Sequence, residues 1–219
     1  MAIDFNPSYI GERDDILALL PEKAEKILDV GCSVGALAEQ LKKANPSREV
    51  TGIEMDKEMV EVAKGKLDKI ILTDVEKIDF LEHFSPEYFD CIIFADVLEH
   101  LKDPWEVLKR AKNILKENML VISSIPNVRH YSTVVSLLFK RYWPYRERGI
   151  HDKTHLRFFT LRNIQEMFFA AGFKIIQIKR KYRIIEHPHY FNKFSNFLAL
   201  PLIKDFFTFQ YLIVAKKET

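Results

Sequence analysis

The stretch KILDVGCSVGALAEQL, residues 26–41, decides the fold. Ile27, Leu28 and Val30 make a short apolar run that ends in a turn carrying Gly31 and Gly35. Beyond it Leu37, Ala38 and Leu41 fall on one face of a helix. Strand, glycine turn and helix in that order open a βαβ unit, whose ligand sits at the turn. A dinucleotide fingerprint, G-x-G-x-x-G, would fall on Gly31, Ser33 and Ala36, so two of its three glycines are missing. The middle one lets the backbone approach a pyrophosphate. Ser33 therefore disfavours a phosphate cradle, and a ligand with an adenosine but no phosphate would tolerate it. Glu54 ends the next strand, where a carboxylate can take both ribose hydroxyls.

Outward from this unit two periods alternate. Strands are predicted at 26–30, 50–54, 69–73, 89–95 and 119–125, the fourth reading FDCIIFA, as a strand buried on both faces does. Helices are predicted at 34–44, 57–67, near 76–83 and at 105–115, with Pro104 at the first helical position. This alternation implies right-handed crossovers and a parallel, doubly wound sheet. After Pro126 the rhythm changes. A helix at 131–139, a basic aromatic loop at 141–157 and a helix at 160–171 follow, the last with Thr160 as N-cap and Gly172 just past its end. A strand at 173–182, an irregular stretch at 183–205 and a strand at 206–216 complete the chain.

A length of 219 residues suits a single domain over 1–219, with an acceptor-side lid or insertion at about 127–160 and a second insertion at about 183–205. Net charge is +2, so no global field recruits nucleic acid and no nucleic-acid partner is expected. Cys32 and Cys91 lie in apolar runs, which fits a reduced, cytoplasmic setting better than a disulfide framework. No apolar core of leader length is read in the first fifteen residues. The most membrane-like region, 191–215, is interrupted by Lys193, Pro201, Lys204 and Asp205 and cannot be a spanning helix. Its aromatic part, 190–197, is read as core packing against the last strand, with peripheral contact to a membrane or lipid-linked acceptor as the competing reading.

LDVGCSVGALA, VTGIEMD, TDVEKIDF, FDCIIFADVLEHLKDP and NMLVISSIPN, in order and each at a strand end, resemble the successive motifs of class I S-adenosylmethionine-dependent methyltransferases. SIPNVRH, GIHDKTHLRFFT and AGF are also similar to a subgroup common among O-methyltransferases for sugars, polysaccharides and other small acceptors. The resemblance implies a Rossmann-like seven-stranded sheet, mostly parallel with an antiparallel last strand, and S-adenosylmethionine as cofactor. It also implies residue roles. Asp29 and the backbone of Gly31, Cys32, Ser33 and Gly35 would hold the methionine moiety. Glu54 would bridge the ribose hydroxyls and Met55 would pack on adenine. Asp74 would accept from the adenine amino group, with Val75 offering a backbone donor; the competing reading of Asp74 is a helix cap. Ala95, Asp96 and Val97 would line the cofactor beside the reactive methyl. Arg13, in YIGERDD, would reach the carboxylate unless it is an ordinary surface ion pair.

An acceptor hydroxyl must lose its proton as it attacks, which suits a His or Asp. The candidates are His155, His151, Asp152 and His100, with His155 favoured because its loop should cover the strand ends. His130 is open between an acceptor-facing and a structural role. HDKTH lacks the glutamate and the helical setting of H-E-x-x-H, so no metal is expected there. Two other classes compete. A nicotinamide-dependent sugar dehydrogenase lacks its middle glycine and a Tyr-x-x-x-Lys pair here. A methyltransferase-fold binding subunit without chemistry is left open by Ser33.

Overall fold

The computed structural model describes residues 11–184 and 203–218. Seven strands form one sheet: β1 (Lys26–Val30), β2 (Glu49–Glu54), β3 (Lys69–Leu72), β4 (Phe89–Ala95), β5 (Leu115–Pro126), β6 (Phe173–Tyr182) and β7 (Thr208–Lys217). Their order is β3-β2-β1-β4-β5-β7-β6, and β7 runs antiparallel to both β5 and β6. From β1 the chain winds outward to β3, then returns to β4 on the other side of β1. That reversal opens a crevice at the carboxyl ends of β1 and β4, where ligands of such sheets bind.

The apolar run Cys91–Ala95 of β4 follows from two covered faces. Ile92 and Phe94 enter one core with Leu28, Val30 and Phe168. Cys91 and Ile93 enter the other with Ile27, Leu41 and Ile122. On the second face lie α1 (Asp14–Leu17) and α2 (Ala36–Ala44). On the first lie α5 (Pro104–Ala111) and α7 (Leu161–Ala170), which inserts Ile164, Met167 and Phe168. Both cysteines are buried and free.

Pro104 opens α5 behind an Asp103 cap, and Thr160 caps α7 in a reciprocal box with Asn163. Other boundaries shift. The helix expected at 57–67 is α3 (Lys57–Ala63), cut short by the left-handed turn at Gly65. The one expected near 76–83 shrinks to α4 (Phe80–His83), because Asp74 turns the chain through Lys77 first. A 3-10 turn, Lys112–Ile114, takes the end of the helix expected to reach 115, so β5 begins before 119. β7 begins late, because Lys204–Phe207 coils into a short helical turn. The aromatic segment 190–197 lies outside the described residues. Among the described residues no helix is long and apolar enough to cross a membrane.

Candidate functional site

Three residues of the first turn take left-handed backbone: Gly31 at φ +70°, Ser33 at +50° and Gly35 at +75°. A Cβ on Gly31 would lie 2.7 Å from Val97 Cγ2, so only glycine leaves this turn and the end of β4 in contact. Ser33 pays a left-handed conformation of about 1–2 kcal/mol. It is held by its amide, which donates to Glu54 Oε2 at 2.9 Å, and by its hydroxyl, 3.5 Å from Met59 Sδ.

Glu54 is 8% exposed, and its carboxylate is fixed by the backbone. Oε1 accepts from the Met55 and Asp56 amides at 2.8 and 2.9 Å. A carboxylate has about four acceptor sites, so capacity remains for a ligand. Met55 beside it is 70% exposed, an uncovered apolar side chain next to a polar anchor. Asp74 accepts from the Glu76 amide at 3.0 Å and pairs with Lys77 at 3.2 Å, so it shapes a turn, while the cap of α4 is Asp79. Val75 is buried, and its carbonyl accepts from Arg110.

Arg13 is no surface ion pair. Its guanidinium donates to Asp96 Oδ2 at 2.6 Å, to Ser124 Oγ at 2.9 Å and to Asp15 Oδ1 at 2.9 Å. Lys181 also reaches Asp15, at 2.8 Å. Burial works against the Asp15 anion, but Arg13 and Lys181 outweigh it and hold its carboxyl down at about 2. Asp96 sits at φ +59°, a position a non-glycine residue holds only when its surroundings over-determine it. Here Arg13, Ser124 and Gln210 all donate to it. Asp29 is 2% exposed. Burial pushes its carboxyl up to about 7, with Glu54 adding to the rise and Arg13 opposing it.

Past Ala95, Asp96 and Val97 the chain makes a 3-10 turn, Leu98–His100. The Glu99 carbonyl there accepts from both the Leu156 and Arg157 amides at 2.9 Å. These bonds clamp the second half of the loop 141–157 onto the end of β4. They also bring the His100 and His155 rings to 4.7 Å between centroids. His100 Nδ1 lies 3.3 Å from the Thr154 carbonyl and 3.1 Å from its hydroxyl, and His155 Nδ1 lies 3.2 Å from the Ile150 carbonyl. Burial, reinforced by His100 and opposed by Asp152, lowers His155 to about 4, so its ring is neutral near pH 7. Glu99, 1% exposed, is raised well above the usual carboxylate range by burial and by Asp96.

Of the four residues expected to face the acceptor, the structure thus joins His100 and His155. Asp152 closes a turn by accepting from the Thr154 amide and hydroxyl at 2.8 and 2.6 Å. His151 is fully buried against Trp143, with Nε2 3.0 Å from Thr133 Oγ1. His130 is also structural: it is buried and caps α6 (Tyr131–Phe139). Glu99 escaped the sequence reading. In LEHL it looks like any glutamate on a short turn, and the amides that hold its carbonyl come from a distant loop.

A family model described as a methyltransferase domain matches residues 8–178. A ubiquinone biosynthesis O-methyltransferase of Aeromonas salmonicida is 30% identical over 152 residues, covering 68% of this chain and 62% of that protein. Its counterpart from Nitrosomonas europaea is 28% identical, covering 77% and 71%. The match to the first of these thus spans less than two thirds of the relative's length. Among solved structures, a SAM-dependent methyltransferase from Archaeoglobus fulgidus superimposes with a TM-score of 0.66 at 19% identity, over 96% of both chains.

Proposed function

The chain belongs to the family of S-adenosylmethionine-dependent methyltransferases, and on that premise we propose that it transfers a methyl group to a hydroxyl oxygen of a small-molecule acceptor. One observation carries the reading. A backbone-fixed carboxylate at the end of β2 and an imidazole pair beyond the end of β4 flank the same crevice. The relatives named as O-methyltransferases support a hydroxyl acceptor. A sugar or polysaccharide acceptor, suggested by the motif resemblance, is a narrower form of the same reading.

The residues present fit the cofactor. The turn at Gly31, where a Cβ would collide with Val97, leaves room only for backbone. Glu54 keeps acceptor capacity for the ribose, and Met55 offers an open apolar surface for adenine. Asp29 and the backbone of Cys32, Ser33 and Gly35 take the methionine end, with Arg13 toward its carboxylate. Asp74 and Val75 border the adenine, and Ala95, Asp96 and Val97 line the approach to the methyl. When bound, S-adenosylmethionine supplies a methyl on sulfonium, an already activated leaving group. The protein's work is then alignment. His100 and His155 receive the acceptor hydroxyl, Asp152 holds the turn that carries His155, and His151 supports that loop from beneath. Residues 127–160 form the acceptor-side cover.

Asp29 gives this assignment a pH signature. Its folded-state value near 7 lies above its unfolded one. Through the window from roughly 4 to 7, then, the folded carboxyl keeps a proton that the unfolded chain has lost. The free protein loses stability as pH rises through it. A ligand ammonium needs the carboxylate. Binding of S-adenosylhomocysteine should therefore release a proton and tighten by roughly tenfold between pH 6 and 8. Calorimetry in buffers of different ionisation enthalpy reads both effects, and Asp29→Asn should abolish them. A flat profile in the wild-type chain would remove Asp29 from the ammonium site.

The acceptor is tested by screening phenols, sugars, amines and carboxylic acids, with S-adenosylhomocysteine formation as readout. Turnover confined to hydroxyl compounds supports the proposal. Turnover of amines alone, or none despite cofactor binding, would favour a different acceptor or a binding subunit.

A further inference from the structure

We propose that Glu99, His100 and His155, joined where the 3-10 turn after β4 meets the loop ending in Arg157, bind a divalent transition-metal ion of the zinc class, with one coordination position open to the acceptor's hydroxyl oxygen. Only the role of that open position rests on the methyl-transfer reading; binding of the ion does not.

The three residues offer one ligand atom each, all within 4.8 Å of one another. In a tetrahedral site with bonds of ~2.0–2.1 Å the ligand atoms stand roughly 3.3–3.5 Å apart, a gap that small side-chain rotations close. The second observation is Glu99 itself. Its Oε2 is buried and has no hydrogen-bond partner among the described residues. A buried carboxylate oxygen without a partner is costly unless a proton, a water or a cation meets it. A third observation is how the imidazoles are held. Each ring directs Nδ1 at a backbone carbonyl, His100 at Thr154 and His155 at Ile150. If those nitrogens carry the protons, both Nε2 lone pairs are free to ligate. Histidine ligands are oriented by outer contacts of this kind. Asp96 and Asp152 add negative potential at Glu99, which Arg13 partly offsets.

Two imidazoles and one carboxylate suit zinc, iron(II), cobalt(II) or manganese(II) better than magnesium or calcium, which favour oxygen ligands throughout. The spacing of HDKTH argued against a metal, and His151 does turn away to Thr133. The proposed site draws instead on two segments far apart in sequence, joined by the paired bonds to the Glu99 carbonyl. A cation there would polarise the acceptor hydroxyl. The proton passes to solvent, the oxygen lone pair forms the new O–C bond, and the C–S electron pair stays on sulfur.

The test uses the full chain freed of metal by a chelator. Zinc is titrated by calorimetry, and cobalt(II) by the visible absorption of a low-symmetry four-coordinate site. One equivalent should bind. Glu99→Gln and His155→Ala should each weaken it by ~100-fold or more, since loss of an outer-shell partner alone costs ~10–100-fold. Replacement of the exposed His83 by alanine should change nothing. Should Glu99→Gln fail to fold, the wild-type titration and His100→Ala decide. No uptake at micromolar zinc, or uptake that survives these replacements, overturns the proposal. S-adenosylhomocysteine titrated into the metal-free chain keeps the two readings apart. Its binding without zinc uptake fells the metal site alone, and zinc uptake without it fells the donor site alone.

Discussion

Glu54→Ala should lower affinity for S-adenosylhomocysteine by ~1.5–3 kcal/mol, a loss of roughly 10- to 150-fold, while the chain stays folded. The side chain makes two kinds of contact. It accepts from three backbone amides, those of Ser33, Met55 and Asp56. Its remaining acceptor capacity is available to the ribose hydroxyls. Alanine removes both, so the turn loosens as the ligand loses its anchor. Glu54→Gln separates the two effects. It retains an oxygen for the amides but turns the other atom into a donor, which suits neither Ser33 nor a hydroxyl pair arranged to donate. Affinity should therefore fall for Gln as well, with a smaller change in melting temperature. Calorimetry and thermal melting on both variants check this. Unchanged affinity in a folded Glu54→Ala chain would remove the ribose assignment.

The second large effect is one of stability. Asn127→Ala should cost about 2–4 kcal/mol, since it removes three hydrogen bonds of a buried side chain and orphans the buried Thr208 carbonyl. Asn127 is fully buried just past β5. Its Nδ2 donates to the carbonyls of Asp205 and Thr208 at 2.7 and 2.8 Å, and its Oδ1 accepts from the Arg129 amide at 3.0 Å. One side chain thus ties the exit of β5 to the entry of β7, on the rim where the acceptor loop starts. For a chain of this size each kcal/mol moves the melting temperature by ~2–4 °C, so a drop of roughly 5–15 °C is expected. Asn127→Asp keeps the acceptor but loses both donors and should do no better. A melting temperature within about 2 °C of wild type would contradict the role assigned to this residue.

Asn127 also shows where sequence reading stops. In SIPN it reads only as the end of a strand, because two of its three partners, the carbonyls of Asp205 and Thr208, lie on a segment that the fold alone brings near. Glu99 and Arg13 are similar. The backbone of one is held by the amides of Leu156 and Arg157, and the other meets Asp96, 83 residues further along the chain. What could be read directly was local. The first turn announces itself through Gly31 and Gly35, and Glu54 through its place at a strand end. Thr160, Pro104 and Gly172 mark helix ends by their own backbone chemistry. The double apolar face of β4 is visible in FDCIIFA, because a strand covered on both sides is apolar at nearly every position, Asp90 being the exception. The expected helix at 57–67 ran past a local stop: Lys57–Ala63 ends at the turn that carries Gly65, a residue of the same kind as Gly172. His151 and His155 looked alike in HDKTH, yet one packs under Trp143 while the other meets His100.

The deciding ligand is S-adenosylhomocysteine. In a calorimetric titration of the full chain, S-adenosylhomocysteine should bind at one equivalent, and NAD and NADP should give no heat of binding at the same concentrations. The left-handed Ser33 turn and the backbone-fixed Glu54 require this outcome. Binding of a nicotinamide dinucleotide, with no affinity for S-adenosylhomocysteine, would contradict it.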